Sequence, residues 1–124
     1  MTVRKTLTKK LGLACIALAI SLLAGNAAAV DNAGFVYVTP IGDAGWTYQH
    51  NLGRIEMEKA TGVTSNYVEN VAEGADAERV IRAMANLGDQ VIFATSFGYM
   101  YCMLKVSKKF PDTAFFHATG YILG

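Results

Sequence analysis

Four short apolar runs recur along this chain, each parted from the next by a stretch with helical spacing, and that alternation most limits the fold. Gly34 to Thr39 is β-branched and aromatic and closes at Pro40, the pattern of a strand. Trp46 to Ala60 is helical, with Leu52 and Ile55 turned inward, Arg54, Glu56, Glu58 and Lys59 mostly outward, and Gly62 as C-terminal cap. Val63 to Val71 alternates loosely as a second strand, and the turn Ala72-Glu73-Gly74-Ala75 leads to Asp76 as N-cap of the next helix. There Val80, Ile81, Met84 and Leu87 share one face, Glu78, Arg79 and Arg82 the other, and Gly88 ends the helix. Asp76 and Glu78 lie where the helix dipole favours acids. Val91 to Ala94 is a continuous apolar run of the kind shown by a strand covered on both faces. Tyr99 to Phe110 is a third helix, with Met100, Met103, Leu104 and Ser107 inward and Pro111 as its stop; Thr113 to His117 is a fourth strand.

The order β-α-β-α-β-α-β with short linkers calls for parallel pairing, because right-handed crossovers allow little else. The expected fold class is α/β, an open parallel sheet with helices on both faces. Its carboxyl edge gathers the turns at residues 40–46, 72–75, 95–99 and 118–121, where ligands of such sheets bind.

Residues 1–29 are read as a signal peptide, leaving residues 30–124 as one partial domain. Arg4, Lys5, Lys9 and Lys10 form a basic start, Leu11 to Gly25 an apolar run, and Ala27-Ala28-Ala29 the small-x-small pattern of a cleavage site. The apolar run is too short and wrongly flanked for a span of about 20 residues. Gly12 stands where a lipobox would carry a large aliphatic residue before Cys15, so lipidation is not expected. The chain is therefore expected to be exported. Four of its eleven basic residues leave with the leader, and the remaining seven against ten acidic ones give a formal charge of −3. That balance argues against nucleic acid as a partner. Cys102 is then the lone cysteine, which excludes an internal disulfide, and it reads as a small buried hydrophobe.

Motifs for catalysis are missing. There is no G-x-G-x-x-G after the first strand, no phosphate-binding G-x-x-x-x-G-K-[ST], no metal-spaced His or Cys pair and no serine in a nucleophile elbow. No catalytic residue, metal or cofactor is expected. What remains is a binding edge. Trp46, just after Gly42-Asp43-Ala44-Gly45, either offers an indole face for stacking or plugs the helix start against the sheet. Asp43 either accepts a hydrogen bond from a ligand or braces its own turn. Thr95, Ser96 and Phe97 lie at the end of the third strand, beside Gly98, where a ligand can approach the backbone. Tyr48 and His50 read as core or surface residues, and His117 as a satisfied structural histidine.

Four blocks carry a family resemblance: Phe35-Val36-Tyr37-Val38 with Gly42 to His50, Val68 to Arg79, Ile92 to Met100, and His117 to Tyr121. Together they resemble the basic membrane protein family of ABC-transporter substrate-binding proteins, across nearly all of residues 34–121. The resemblance implies part of the N-terminal lobe of a type I periplasmic binding protein. It also implies capture of a purine base or nucleoside between two lobes and delivery to an inner-membrane permease, by a periplasmic monomer. In that setting Trp46 resembles the stacking partner of the base and Thr95-Ser96-Phe97 a second contact, with Asp43 carried alongside them. Tyr101-Cys102 stands where relatives commonly read Asp-Pro. Two other readings remain. One is an exported nucleoside-processing enzyme. The other is a truncated, non-functional receptor fragment, since the pattern fails after Tyr121 and the second lobe is absent.

Overall fold

The computed structural model describes residues 28–122, so the expected leader falls almost wholly outside the described residues. Strands β1 (Asn32–Val36), β2 (Thr64–Val68), β3 (Val91–Ala94) and β4 (Ala114–His117) are joined by helices α1 (Trp46–Thr61), α2 (Ala75–Leu87) and α3 (Met100–Ser107). A short 3-10 turn, Phe97–Tyr99, leads into α3. All strands pair in parallel, in the order β2-β1-β3-β4. The chain steps from β1 to β2 in one direction and then crosses back over β1 to reach β3. With right-handed crossovers, α1 must cover one face and α2 and α3 the other. The strand order thus reverses between β1 and β3, and a crevice opens beyond their carboxyl ends. The α/β sheet with helices on both faces is the architecture expected from the alternation of runs.

Alternation along the strands divides the core. Val36, Ile92 and Ala94 point to the α2–α3 face, where they meet Val80, Ile81, Met84, Tyr99, Met103 and Val106. Burying each large apolar side chain of this set contributes about 1.5–3 kcal/mol. Ala33, Phe35 and Tyr37 point to the α1 face, flanked by Ile41, Met57, Val63, Val91 and Phe93. Aromatic rings line up across that face in register: Phe35 stacks on Phe93 at 4.7 Å and Phe93 on Phe116 at 5.3 Å. Tyr37 is fully buried with no partner for its hydroxyl, and burial pushes its phenol up to about 12.

The amino edge is closed by β3's leading residues. The Asn66 amide donates to Asp89 Oδ1 at 2.7 Å, and the Gln90 side-chain carbonyl accepts from the backbone N–H of Asp31 at 2.6 Å and of Asn32 at 3.2 Å. Gly34 lets these side chains pack close to β1, since a Cβ would stand 2.7 Å from Asp89 Oδ2 and 2.8 Å from Met84 Sδ and would displace them.

Several expectations need correction. Leu52 is not inward but 38% exposed; Thr47 and Asn51 are the buried residues of α1. The cause lies in β2, which presents Ser65 and Tyr67 to the helix. Arg54 answers with a hydrogen bond to Ser65 Oγ at 2.9 Å and a guanidinium 4.8 Å from the Tyr67 ring centroid. Glu58 accepts from both the N–H and the hydroxyl of Ser65. The polar face of α1 therefore turns in, leaving Leu52 outside. Leu87 is 86% exposed, because the buried stripe of α2 ends at Met84 and Ala85, one turn before the Gly88 cap. Asp76 is not the N-cap: Gly74 precedes α2 and no side chain caps it. Strand β1 runs Asn32–Val36 rather than Gly34 to Thr39, β2 is shorter than expected, and α3 covers Met100–Ser107, after the 3-10 turn, rather than Tyr99 to Phe110. Cys102 is half-buried, its thiol 3.1 Å from the Gly74 carbonyl.

Candidate functional site

The first crossover places Trp46 at the crevice. Gly42 and Gly45 both adopt positive φ (60° and 94°), a region open to glycine at no steric cost, and so let the chain turn tightly into α1. The loop is pinned at both ends: the Thr39 and Thr47 hydroxyls bond at 2.7 Å, and the Ile41 N–H donates to Glu69 Oε2 at 2.7 Å. From the head of α1 the Trp46 indole N–H reaches across the crevice and donates to the Thr95 carbonyl at the end of β3, at 2.6 Å. The His50 ring, one turn along, meets Trp46 at 4.6 Å and 64°. The indole is thus fixed by its edge and backed by an imidazole, yet 48% exposed. Its only donor is already used, so what it offers a guest is its face. Beside it opens a shallow hollow of about 550 Å³ lined by Gly45, Trp46, Gln49 and His50.

The third crossover supplies the facing turn. Thr95 is 3% exposed, and its hydroxyl and its N–H both donate to the Val36 carbonyl. Its side chain therefore braces the turn, and its carbonyl anchors Trp46. The buried Ser96 hydroxyl donates to Glu73 Oε1 at 2.5 Å, and the Gly98 N–H reaches the same oxygen at 3.2 Å. Between these two, Phe97 stands 57% exposed, with the Tyr121 ring 6.2 Å away. Asp43 lies exposed on the first crossover, and its carboxylate takes no protein donor among the described residues. Of the residues singled out from sequence, Trp46 and Thr95 touch directly, Ser96 and Phe97 continue the same turn, and Asp43 stands apart.

Sequence reasoning missed Glu73, His50 and Tyr121. An acidic residue in a turn carries no mark of the partner it will find in another crossover. His117 corrects an expectation: both its ring nitrogens are buried without a hydrogen-bond partner, so it is not satisfied. Burial lowers the pKa of His117, against an opposing pull from the Ser96 backbone, and burial also lowers that of His50. Burial thus favours the neutral form of both imidazoles. Around Trp46 the chemistry on offer is a flat aromatic face, backed by the His50 ring and bordered by Gln49.

Comparison with known proteins accords with this arrangement. Residues 30–123 match the family model described as ABC transporter substrate-binding protein PnrA-like (Bmp). A purine-binding protein of Brucella abortus is 51% identical over 111 residues, covering 86% of this chain and 32% of that protein. A Haloferax volcanii protein named as an ABC transporter glucose-binding protein is 43% identical over 91 residues, covering 73% and 23%. The chain thus spans about a third or less of the length of these relatives. Among solved structures, an ABC transporter solute-binding protein from Conexibacter woesei superposes with a TM-score of 0.64 at 21% identity, over 68% of this chain and 28% of its own. That likeness carries the fold. With the family model matching residues 30–123, well over half of the sequence, this chain belongs to the Bmp family of PnrA-like ABC transporter substrate-binding proteins.

Proposed function

We propose that this chain contributes one wall of a site that takes a purine base or nucleoside by stacking on Trp46, binds it without chemistry, and presents it to a membrane permease. The observation that carries the reading is the Trp46 indole: tethered to the Thr95 carbonyl at 2.6 Å, it still keeps 48% of its surface open, at the point where the strand order reverses. A ring used only as a plug would be covered. Stacking on such a face contributes about 0.5–1.5 kcal/mol beyond area burial. Phe97 offers a second exposed ring on the third crossover, and Asp43 an acceptor for a ligand N–H or hydroxyl. The name of the Brucella abortus relative, 51% identical, points the same way. In this reading the protein acts outside the inner membrane, after removal of residues 1–29, as a monomer and not as an enzyme. A second lobe closes over the guest, and the guest shifts the open–closed balance by its preference for the closed state.

The competing guest is a sugar, since the Haloferax volcanii relative is named for glucose. Isothermal titration with adenine, adenosine, guanosine and glucose separates the two. Heat from a purine and none from glucose is expected. Heat from glucose alone would overturn the purine assignment while leaving the receptor class intact.

A further inference from the structure

We propose that Glu73 is a positioning residue for this edge: it holds the Ser96–Gly98 turn so that the Phe97 ring stands toward the crevice as its second aromatic wall. The inference rests on the reading of that edge as a purine site. A single carboxylate oxygen of Glu73 accepts from the Ser96 hydroxyl at 2.5 Å and from the Gly98 N–H at 3.2 Å, and these two donors bracket Phe97 on either side. Charge-assisted bonds of this kind are the shorter and stronger class. The turn and the Glu73 carboxyl group also pack closely. A Cβ on Gly98 would fall inside contact distance of all three atoms of the Glu73 carboxyl group, so the carboxylate lies flat against the backbone it holds.

Neighbouring contacts show why Glu73, rather than the rest of the crossover, sets Phe97. Thr95 is fixed from the sheet side by Val36, and Tyr99 from below, where its hydroxyl donates to the Val71 carbonyl at 2.6 Å. The segment between them is a single 3-10 turn, closed by the Tyr99 N–H on the Ser96 carbonyl at 3.0 Å, and its ties to the second crossover go to Glu73. Val71, Glu73 and Gly74 of the second crossover thus meet Tyr99, Ser96, Gly98 and Cys102 of the third, joining two loops that are distant in sequence. Without Glu73 the turn would keep only its own 3-10 bonds, and each guest would have to order the exposed ring it carries. Held by Glu73, it is ordered in advance.

The test uses the full chain and two readouts. Backbone amide relaxation and hydrogen exchange of residues 96–98 report the tether without any ligand. Calorimetric titration with adenosine reports its effect on binding. Glu73→Ala should speed Gly98 amide exchange by about tenfold or more and weaken adenosine by about tenfold. Glu73→Gln, which keeps an acceptor oxygen, should restore most of both. In a Phe97→Ala background, Glu73→Ala should cost little further affinity, because the ring it positions is gone. Should Glu73→Ala fail to fold, Glu73→Asp, too short to reach both donors, takes its place. Unchanged exchange at Gly98, or an affinity loss that simply adds to that of Phe97→Ala, would overturn the proposal. If the parent chain takes no adenosine, the purine reading fails, and the exchange measurements still decide whether Glu73 holds the turn.

Discussion

The two faces of the sheet are built on opposite principles. On one, α2 and α3 close an apolar core in which Val36, Ile81, Ile92, Ala94, Tyr99 and Val106 are all at 0% exposure. On the other, a single helix does the covering. A helix is about 10 Å across and strands lie about 4.8 Å apart, so one helix shields two strands of four. α1 lies over β1 and β2 and meets the sheet with Thr47, Asn51, Arg54 and Glu58 beside the apolar Met57, leaving Phe116 54% exposed at the far end of the aromatic row. Directional polar contacts tolerate little slippage, so α1 gains exact placement at the expense of apolar burial. Its first residue is Trp46. The face that stabilises the domain and the face that positions the candidate binding ring are therefore distinct.

That contrast can be broken by substitution. The largest effect is expected at Ile81→Ala, which empties the closed core and should cost about 3 kcal/mol in chemical denaturation, whereas Phe116→Ala should cost less than about 1 kcal/mol. Equal losses would mean that the two faces contribute alike. Next comes Arg54→Ala, which removes bonds to Asn51 and Ser65, the pairing with Glu58 and the contact with the Tyr67 ring. It should cost about 1–2 kcal/mol. A loss below about 0.5 kcal/mol would show that the polar seam does not fix α1.

A smaller effect, readable through pH, is expected at Asp89. Burial raises its carboxyl above the ordinary value, partly offset by the Asn66 amide, and one oxygen has no partner. A carboxyl whose folded pKa is raised binds its proton longer in the fold than in the unfolded chain, so stability falls as pH rises from the ordinary carboxylate value through the raised one. Asp89→Asn should flatten that part of the stability–pH curve; an unchanged slope would mean that Asp89 does not titrate there. The smallest effect belongs to Lys59→Ala. Its pair with Glu56 is 66% and 70% exposed, and the loss should stay under about 0.5 kcal/mol.

The faces also differ in how far the sequence revealed them. Val80, Ile81 and Met84 at helical spacing, and the run Val91 to Ala94, are apolar patterns, and apolar burial writes itself into composition at short range. The α2–α3 face was legible for that reason. The α1 face was not: Leu52 looked inward because an apolar residue usually is, while the decisive partners, Ser65 and Tyr67, lie on a strand whose neighbour is set by topology. The site divides in the same way. Trp46 stood out as a large ring after two glycines. Its bond to Thr95, 49 residues away, and the hold of Glu73 on Ser96 and Gly98 depend on loops meeting in space, and no local pattern encodes them.

Trp46 is the one tryptophan of the chain, so its emission reports the crevice without labelling. The most direct measurement is a titration of that fluorescence with adenosine, run beside calorimetry on the same sample. Stacking predicts a saturable change in emission whose midpoint agrees with the calorimetric one, and Trp46→Ala should lower affinity about tenfold or more. Adenosine binding that leaves the emission untouched would contradict the account, because the guest would then lie elsewhere than on the indole.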